Sequence, residues 1–243
     1  MSTREVLLLI GHGSARYPDA GDAMRLVAGS PRIRTRFAGT EIAVLNGAPA
    51  VADALSRIGT AAIRVVPFFM EDGYFSRVAV PRALLGRSAA ICPPVGIHDG
   101  MAGLIERQAL AACEDWGIRP RTAAVLVVGH GSSSAPGRAL ALHRHTARVA
   151  ATGLFARTGA ACLEEPPFVT DMLRGLRAHP VVVIGFFANQ GGHVRDDVPA
   201  LIAAEQIARG GTGPVVRFRG CVTGDPAMDS IILDQAALGP GKN

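Results

Sequence analysis

The sequence predicts an α/β protein built from two homologous, doubly wound parallel-sheet lobes with a cleft between them. Short, continuous runs of Val, Ile and Leu alternate with Ala- and Arg-rich stretches of helical composition. This pattern is typical of parallel strands that are buried on both faces by helices. The same order of elements occurs twice at a constant distance along the chain, which indicates an internal duplication.

The duplication is visible in two pairs of segments. LLLIGHGS corresponds to LVVGHGS, and VVPFFMEDGYFSRVAVP at 65–81 corresponds to VIGFFANQGGHVRDDVP at 183–199. We therefore predict an N-terminal half at 1–118 and a C-terminal half at 119–243, joined near Gly117 and Pro120. One offset of 118 positions relates His12 to His130, Phe75 to His193 and Pro81 to Pro199.

Each predicted half contains three strands that alternate with helices. The first strand leads into a Gly-His-Gly-Ser turn and the second into a helix opened by proline, while the third leads into a loop and a helix beginning near Pro81 or Pro199. Ligands bind beyond the carboxyl ends of the strands in such sheets, so we expect the loop histidines to face the cleft. The predicted strands are Val6–Ile10, Ile42–Leu45 and Ile63–Phe69, then Val125–Val128, Ala160–Leu163 and Val181–Phe187.

Composition narrows the class of protein. The 243 residues are 49% hydrophobic and 19% charged, as expected for a chain that buries a core. No apolar run approaches the roughly 20 residues that span a bilayer, and the four cysteines are widely spaced without a Cys-x-x-Cys pair, so we expect a cytoplasmic protein that does not bind a membrane. The net charge of +5 fits either an ordinary basic surface or a small anionic substrate. The scattered arginines do not indicate nucleic-acid binding.

The glycine-rich turns do not match the common nucleotide or hydrolase motifs. Neither copy has the Gly-Lys-Ser/Thr of a P-loop or the third glycine of a dinucleotide fingerprint. Neither has the arginine before histidine of a phosphohistidine site, nor the Gly-x-Ser-x-Gly of a nucleophile elbow. What remains is a histidine presented on a tight turn at a strand end.

The second half offers a complete set of metal-ligating groups. His130 and His193 follow the first and third strands of this half, and Glu164 and Glu165 follow the second. Imidazole and carboxylate suit a divalent first-row metal, and imidazole also takes up protons near neutral pH. The first half has only His12 of this set, with Gly47 and Phe75 at the other two positions.

These motifs resemble the sirohydrochlorin chelatase family, the ATP-independent cobalt- and ferrochelatases related to protoporphyrin ferrochelatase. The resemblance is carried by both Gly-His-Gly-Ser turns, by GGHVRDDVP after a strand ending in Phe-Phe, and by LEEPPFVTDML, which looks like the family's Glu-Pro helix start. It covers nearly the whole chain as a two-domain long form. It implies a chelatase-like fold and insertion of cobalt or iron into a sirohydrochlorin-type tetrapyrrole, for cobalamin or siroheme synthesis.

The resemblance also implies roles for individual residues. His130, His193 and Glu165 would be both catalytic and metal-binding, whereas many two-domain relatives keep the full site in the N-terminal half. No cofactor would be permanently bound, and the partners would be a divalent metal ion and an anionic tetrapyrrole, with the protein a monomer or homodimer. The expected substrate-binding residues are Ser132, Arg138, Arg195, His12 and Phe75, with Arg16 and Arg77 as further clamps for substrate carboxylates.

Two other functions fit the same residues. A non-catalytic carrier of metal or tetrapyrrole would retain the fold after duplication, and a metal-dependent hydrolase would use the same histidines and glutamate around a permanently bound metal. Cobalt, iron and nickel all suit the ligand set.

We expect Asp196 and Asp197 to cap the helix that begins at Val198 and Pro199. His98, His143, His145 and His179 are expected to be surface or structural residues.

Overall fold

The computed structural model describes residues 5–13, 21–134, 136–210 and 213–239. It contains two four-stranded sheets in which every pairing is parallel, with strand orders β2-β1-β3-β4 and β6-β5-β7-β8. The predicted α/β class with two homologous parallel-sheet lobes is therefore confirmed. The strands are β1 (Val6–Gly11), β2 (Gly39–Val44), β3 (Ile63–Pro67), β4 (Ala89–Ile91), β5 (Ala124–Gly129), β6 (Arg157–Cys162), β7 (Val181–Gly185) and β8 (Val216–Cys221).

Helices connect successive strands in both sheets. Within the described ranges they are α1 (Asp22–Ala28), α2 (Pro31–Arg36), α3 (Val51–Ile58), α4 (Val80–Ala83), α5 (Met101–Asp115), α6 (Leu140–Ala151), α7 (Val169–Gly175), α8 (Val198–Ala208) and α9 (Met228–Ala237). A π-helical turn precedes α4 at Phe75–Ala79 and α8 at His193–Asp197. None of the helices in the part of the chain described has both the length and the apolar character needed to cross a membrane.

The burial of the central strands explains why they appear as continuous hydrophobic runs in the sequence. Every residue of β5 and β7 is buried, because helices cover both faces of a parallel sheet. The strand registers repeat the sequence offset: Leu9 pairs with Ile42 and Val66, and Val127 pairs with Ala160 and Ile184.

The fourth strand of each sheet was not predicted. β4 has only three residues, all half-buried. β8 reads Val-Arg-Phe-Arg-Gly-Cys, with its arginines and glycine less buried than its ends. Both strands lie at a sheet edge, where one side has no neighbouring strand and a continuous apolar run is not required.

The chain forms two compact units whose limits differ from the predicted halves. One unit contains the described residues up to His98 together with those from Pro226 onward, and the other runs from Asp99 to Asp225. Helix α5 belongs to the first half in sequence, yet it is part of the second unit. Helix α9 belongs to the second half in sequence, yet it is part of the first unit.

Specific contacts hold each of these helices within its unit. In the second unit, Gln108 on α5 donates hydrogen bonds of 3.3 Å to the carbonyls of Cys221 and Val222, at the end of β8. In the first unit, Gln235 on α9 donates to the carbonyl of Pro94 at 2.7 Å. The buried amide of Gln235 thereby obtains the partner that a buried polar group requires.

Candidate metal centre

A glycine turn at the end of β5 presents His130. The backbone of Gly131 has φ +71°, and a Cβ there would lie 2.7 Å from Cγ of Glu165 and 2.8 Å from Cβ of Cys162. Only glycine therefore fits this position. The Nδ1 atom of His130 lies 3.0 Å from the carbonyl oxygen of Gly131. Because a carbonyl only accepts, Nδ1 carries the proton and Nε2 keeps its lone pair in the neutral ring.

A wide helical turn after β7 presents His193. The N–H of Val198 donates to the carbonyl of His193, five residues earlier. Pro199 follows, and proline has no N–H and clashes with the carbonyl four residues before it. The π-helical turn relieves that clash and places His193 at its start.

The two turns bring the imidazoles of His130 and His193 together. Their ring centroids are 4.6 Å apart and the rings are nearly perpendicular, at 81°. Nδ1 of His193 donates to Oδ2 of Asp197 at 2.7 Å, so this ring also keeps its Nε2 lone pair. The ring lies beside Phe187, with centroids 5.7 Å apart. Two half-exposed imidazoles thus offer nitrogen ligands of the kind that first-row divalent metals prefer.

The neighbouring carboxylate is that of Glu164. Its Oε1 lies 3.6 Å from Nε2 of His130, and its Oε2 is 3.5 Å from the hydroxyl of Ser133. Glu165, predicted as the third ligand, is buried instead: its Oε2 accepts the N–H of Gly137, and its Oε1 accepts no hydrogen bond from the described residues. Among the described residues, no three His, Cys, Asp or Glu side chains lie close enough together to hold a metal ion.

Three of the predicted substrate-binding residues lie on the segments that carry the two imidazoles. Ser132 follows the glycine turn, and its hydroxyl is 3.2 Å from that of Ser134. Arg138 is exposed just after Gly137, and Arg195 is exposed on the π-helical turn. Their assignment to substrate binding stays a prediction.

The first unit repeats the two turns, with a phenylalanine at the position equivalent to His193. His12 follows β1, and its Nδ1 donates to the carbonyl of Gly13 at 2.9 Å. Its ring meets Phe75 edge to face, with centroids 4.4 Å apart at 85°, and Phe75 stacks on Phe69 at 5.8 Å. A phenyl ring therefore occupies the place of the His193 imidazole. The position equivalent to Glu164 is Asn46.

Of the two further arginines predicted as clamps, Arg77 already has a carboxylate partner. Its guanidinium donates two hydrogen bonds to Oδ2 of Asp72, at 2.7 and 3.0 Å. The hydrogen bonds from Arg77 lower the pKa of the Asp72 carboxyl, against the opposing effect of its partial burial. Arg16 lies outside the described residues.

The capping role predicted for Asp197 is wrong. Asp197 precedes α8 but makes no side-chain capping bond; its carboxylate binds His193 instead. The spacing of four residues on a helical segment was the signal that could have indicated this pair.

Of the other histidines, His145 is fully buried beside Phe186, and His179 binds the carbonyl of Thr122.

Comparison with known proteins places this architecture in the chelatase class. A multi-domain protein from Deinococcus radiodurans, described as structurally similar to chelatases, superimposes with a TM-score of 0.80 at 23% identity; the match covers 97% of this chain but only 55% of that protein. CbiX, described as the terminal enzyme of siroheme biosynthesis in denitrifying bacteria, gives a TM-score of 0.74 at 26% identity, over 97% of this chain and 99% of its own.

Sequence comparison identifies the family. A probable sirohydrochlorin cobaltochelatase from Halobacterium salinarum is 24% identical over 272 aligned positions, which cover 96% of this chain and 91% of that protein. The CbiX family matches twice, over residues 6–112 and 124–237. The chain belongs to the CbiX family, and the resemblance inferred from its motifs is confirmed.

Proposed function

We propose that this protein inserts a divalent metal ion, cobalt or ferrous iron, into a sirohydrochlorin-type tetrapyrrole at the imidazole pair of the second unit. The observation that carries the proposal is the pairing of His130 with His193, whose Nδ1 atoms are both engaged as donors. In both neutral rings Nε2 therefore keeps a lone pair that can bind a metal ion. Family membership and the names of the relatives support the substrate class.

The site contains both the metal ligands and the proton acceptors that metal insertion requires. Insertion of a divalent cation releases two protons from the pyrrole nitrogens, so the reaction needs metal ligands and proton acceptors in one place. Imidazole serves both purposes. The carboxylate of Glu164 beside His130 adds a negative charge that attracts the incoming cation. All three groups are about half exposed, so the metal and the macrocycle can reach them.

The imidazole and carboxylate groups of the site bind both cobalt and iron. The names of the relatives support both metals. The Halobacterium salinarum protein is named a probable cobaltochelatase, and CbiX is described as an enzyme of siroheme biosynthesis. We propose both ions as substrates, with the anionic macrocycle attracted by the basic surface of a chain with net charge +5.

The test is an anaerobic insertion assay with sirohydrochlorin and either Co²⁺ or Fe²⁺, followed by absorbance against a protein-free control. We expect His130→Ala and His193→Ala to lower the rate by about 100-fold or more. His12→Ala is the matched control, because His12 has the same turn but faces Phe75, and it should retain the activity.

Two outcomes would contradict the proposal. Failure of the unaltered protein to accelerate insertion of either metal would instead favour a carrier. An equal loss of activity in His12→Ala would show that the second unit does not hold the site alone.

A further inference from the structure

We infer that Asp197 is a positioning residue for metal transfer, which holds the His193 imidazole in the tautomer that leaves Nε2 open to the metal. The inference rests on the proposed function of the imidazole pair. Oδ2 of Asp197 lies 2.7 Å from Nδ1 of His193. An ionised carboxylate only accepts hydrogen bonds, so the ring proton resides on Nδ1. Metal-ligating histidines commonly donate their second nitrogen in this way.

The duplication within the chain supplies an internal control for this role. The position equivalent to His193 is Phe75, and the position equivalent to Asp197 is Ala79. A phenyl ring has no N–H to orient, and Ala79 has no carboxylate that could orient one. The copies agree at Arg77 and Arg195, Val80 and Val198, and Pro81 and Pro199, and they differ at Ser76 and Val194 and at Val78 and Asp196. Of the two aspartates that the first copy lacks, Asp197 is the one whose carboxylate contacts the His193 ring.

The equivalent turn of the first unit argues against a purely structural role for Asp197. The π-helical turn Phe75–Ala79 forms with alanine at its last position, so the turn needs no carboxylate there. Asp197 also caps no N–H of α8. Its side chain is about half exposed, so its substitution should disturb little of the surrounding packing.

The two histidines of the site are oriented by different means. His130 is held by the backbone carbonyl of Gly131, and its counterpart His12 is held by that of Gly13. Such a bond persists whatever the side chains nearby. His193 instead relies on a side chain, so its tautomer can be changed by a single substitution.

The experiment uses the full-length protein with ¹⁵N-labelled histidine rings, compared as Asp197→Ala, Asp197→Asn and the unaltered chain. The His193 signals are assigned from their loss in His193→Ala. In metal-free protein, we expect the Nδ1–H tautomer in the unaltered chain and a shift towards Nε2–H in Asp197→Ala. Asp197→Asn should retain most of the Nδ1–H form, because the amide oxygen still accepts. Co²⁺ binding should weaken by about 10- to 100-fold in Asp197→Ala.

The matched control is Asp196→Ala, which removes the same charge from the adjacent exposed position. It should change neither the His193 tautomer nor Co²⁺ affinity. An unchanged tautomer in Asp197→Ala, or an equal loss of affinity in Asp196→Ala, would overturn the inference.

These readouts are separate from the insertion assay. If the unaltered protein inserts no metal while Asp197→Ala still shifts the tautomer and weakens Co²⁺ binding, the proposed function fails and the positioning role stands. If the unaltered protein inserts metal and Asp197→Ala matches it in tautomer, affinity and rate, the positioning role fails alone.

Discussion

Single side chains distinguish two units that otherwise share one scaffold. Phe75 and His193 follow equivalent strands and meet an equivalent histidine at 4.4 and 4.6 Å between ring centroids. The phenyl ring preserves the packing but has no lone pair for a metal and no site for a proton. The first unit therefore has the same ring contact without a metal ligand or a proton acceptor at this position.

The two adjacent glutamates should have separable roles. We expect Glu164→Gln to slow metal insertion by about tenfold or more without changing the melting temperature, because this half-exposed carboxylate lies beside Nε2 of His130. We expect Glu165→Gln to remain close to the unaltered protein, because its amide oxygen can still accept the N–H of Gly137. Insertion rates and thermal unfolding of both variants provide the measurement. The reverse order of rates would support the metal-binding role predicted for Glu165.

At the scale of elements, the π-helical turn depends on the proline that follows it and forms with either Phe75 or His193 at its start. Both copies have Val-Pro at the start of the following helix, at Pro81 and Pro199, and both form the wide turn. A proline at this position cannot donate to the carbonyl four residues earlier. The preceding turn therefore widens, and π turns of this kind frequently accompany functional sites.

Restoring the missing N–H should disturb the geometry of the imidazole pair. We expect Pro199→Ala to allow an α-helical bond to the carbonyl of Arg195, to tighten the turn and to lower the insertion rate several-fold, since misplacement of reacting groups by about 1 Å is costly. Pro81→Ala makes the same change beside Phe75 and should retain the rate. Equal effects of the two substitutions would argue against a specific role of the turn at His193.

At the scale of the whole molecule, the sequence repeats and the compact units are different divisions of one chain. Helix α5 ends the first repeat but packs with α6, β7 and β8 of the second unit, while α9 packs with α1, α2 and β3 of the first. The second unit is continuous from Asp99 to Asp225 and contains both imidazoles of the site.

This division predicts which fragment folds. We expect residues 99–225 to unfold cooperatively and to bind Co²⁺, because they include α5, which is buried at Met101, Ile105 and Ala109. The fragment 119–243 follows the sequence repeat but lacks α5, and it should be poorly folded. Circular dichroism and amide NMR dispersion of the two fragments are the measurements. Greater stability of 119–243 would favour the boundary predicted from the repeat.

Local patterns in the sequence determined the fold class, the duplication, the central strands and the two histidines of the candidate site. These follow from hydrophobic runs and a constant offset, because a strand buried on both faces must be apolar wherever it occurs. Only the tertiary structure decided which of two adjacent glutamates lies beside His130, that Asp197 binds His193, and which unit receives α5 and α9. Those outcomes depend on side-chain direction and on packing between segments far apart in the chain, which composition and spacing do not specify.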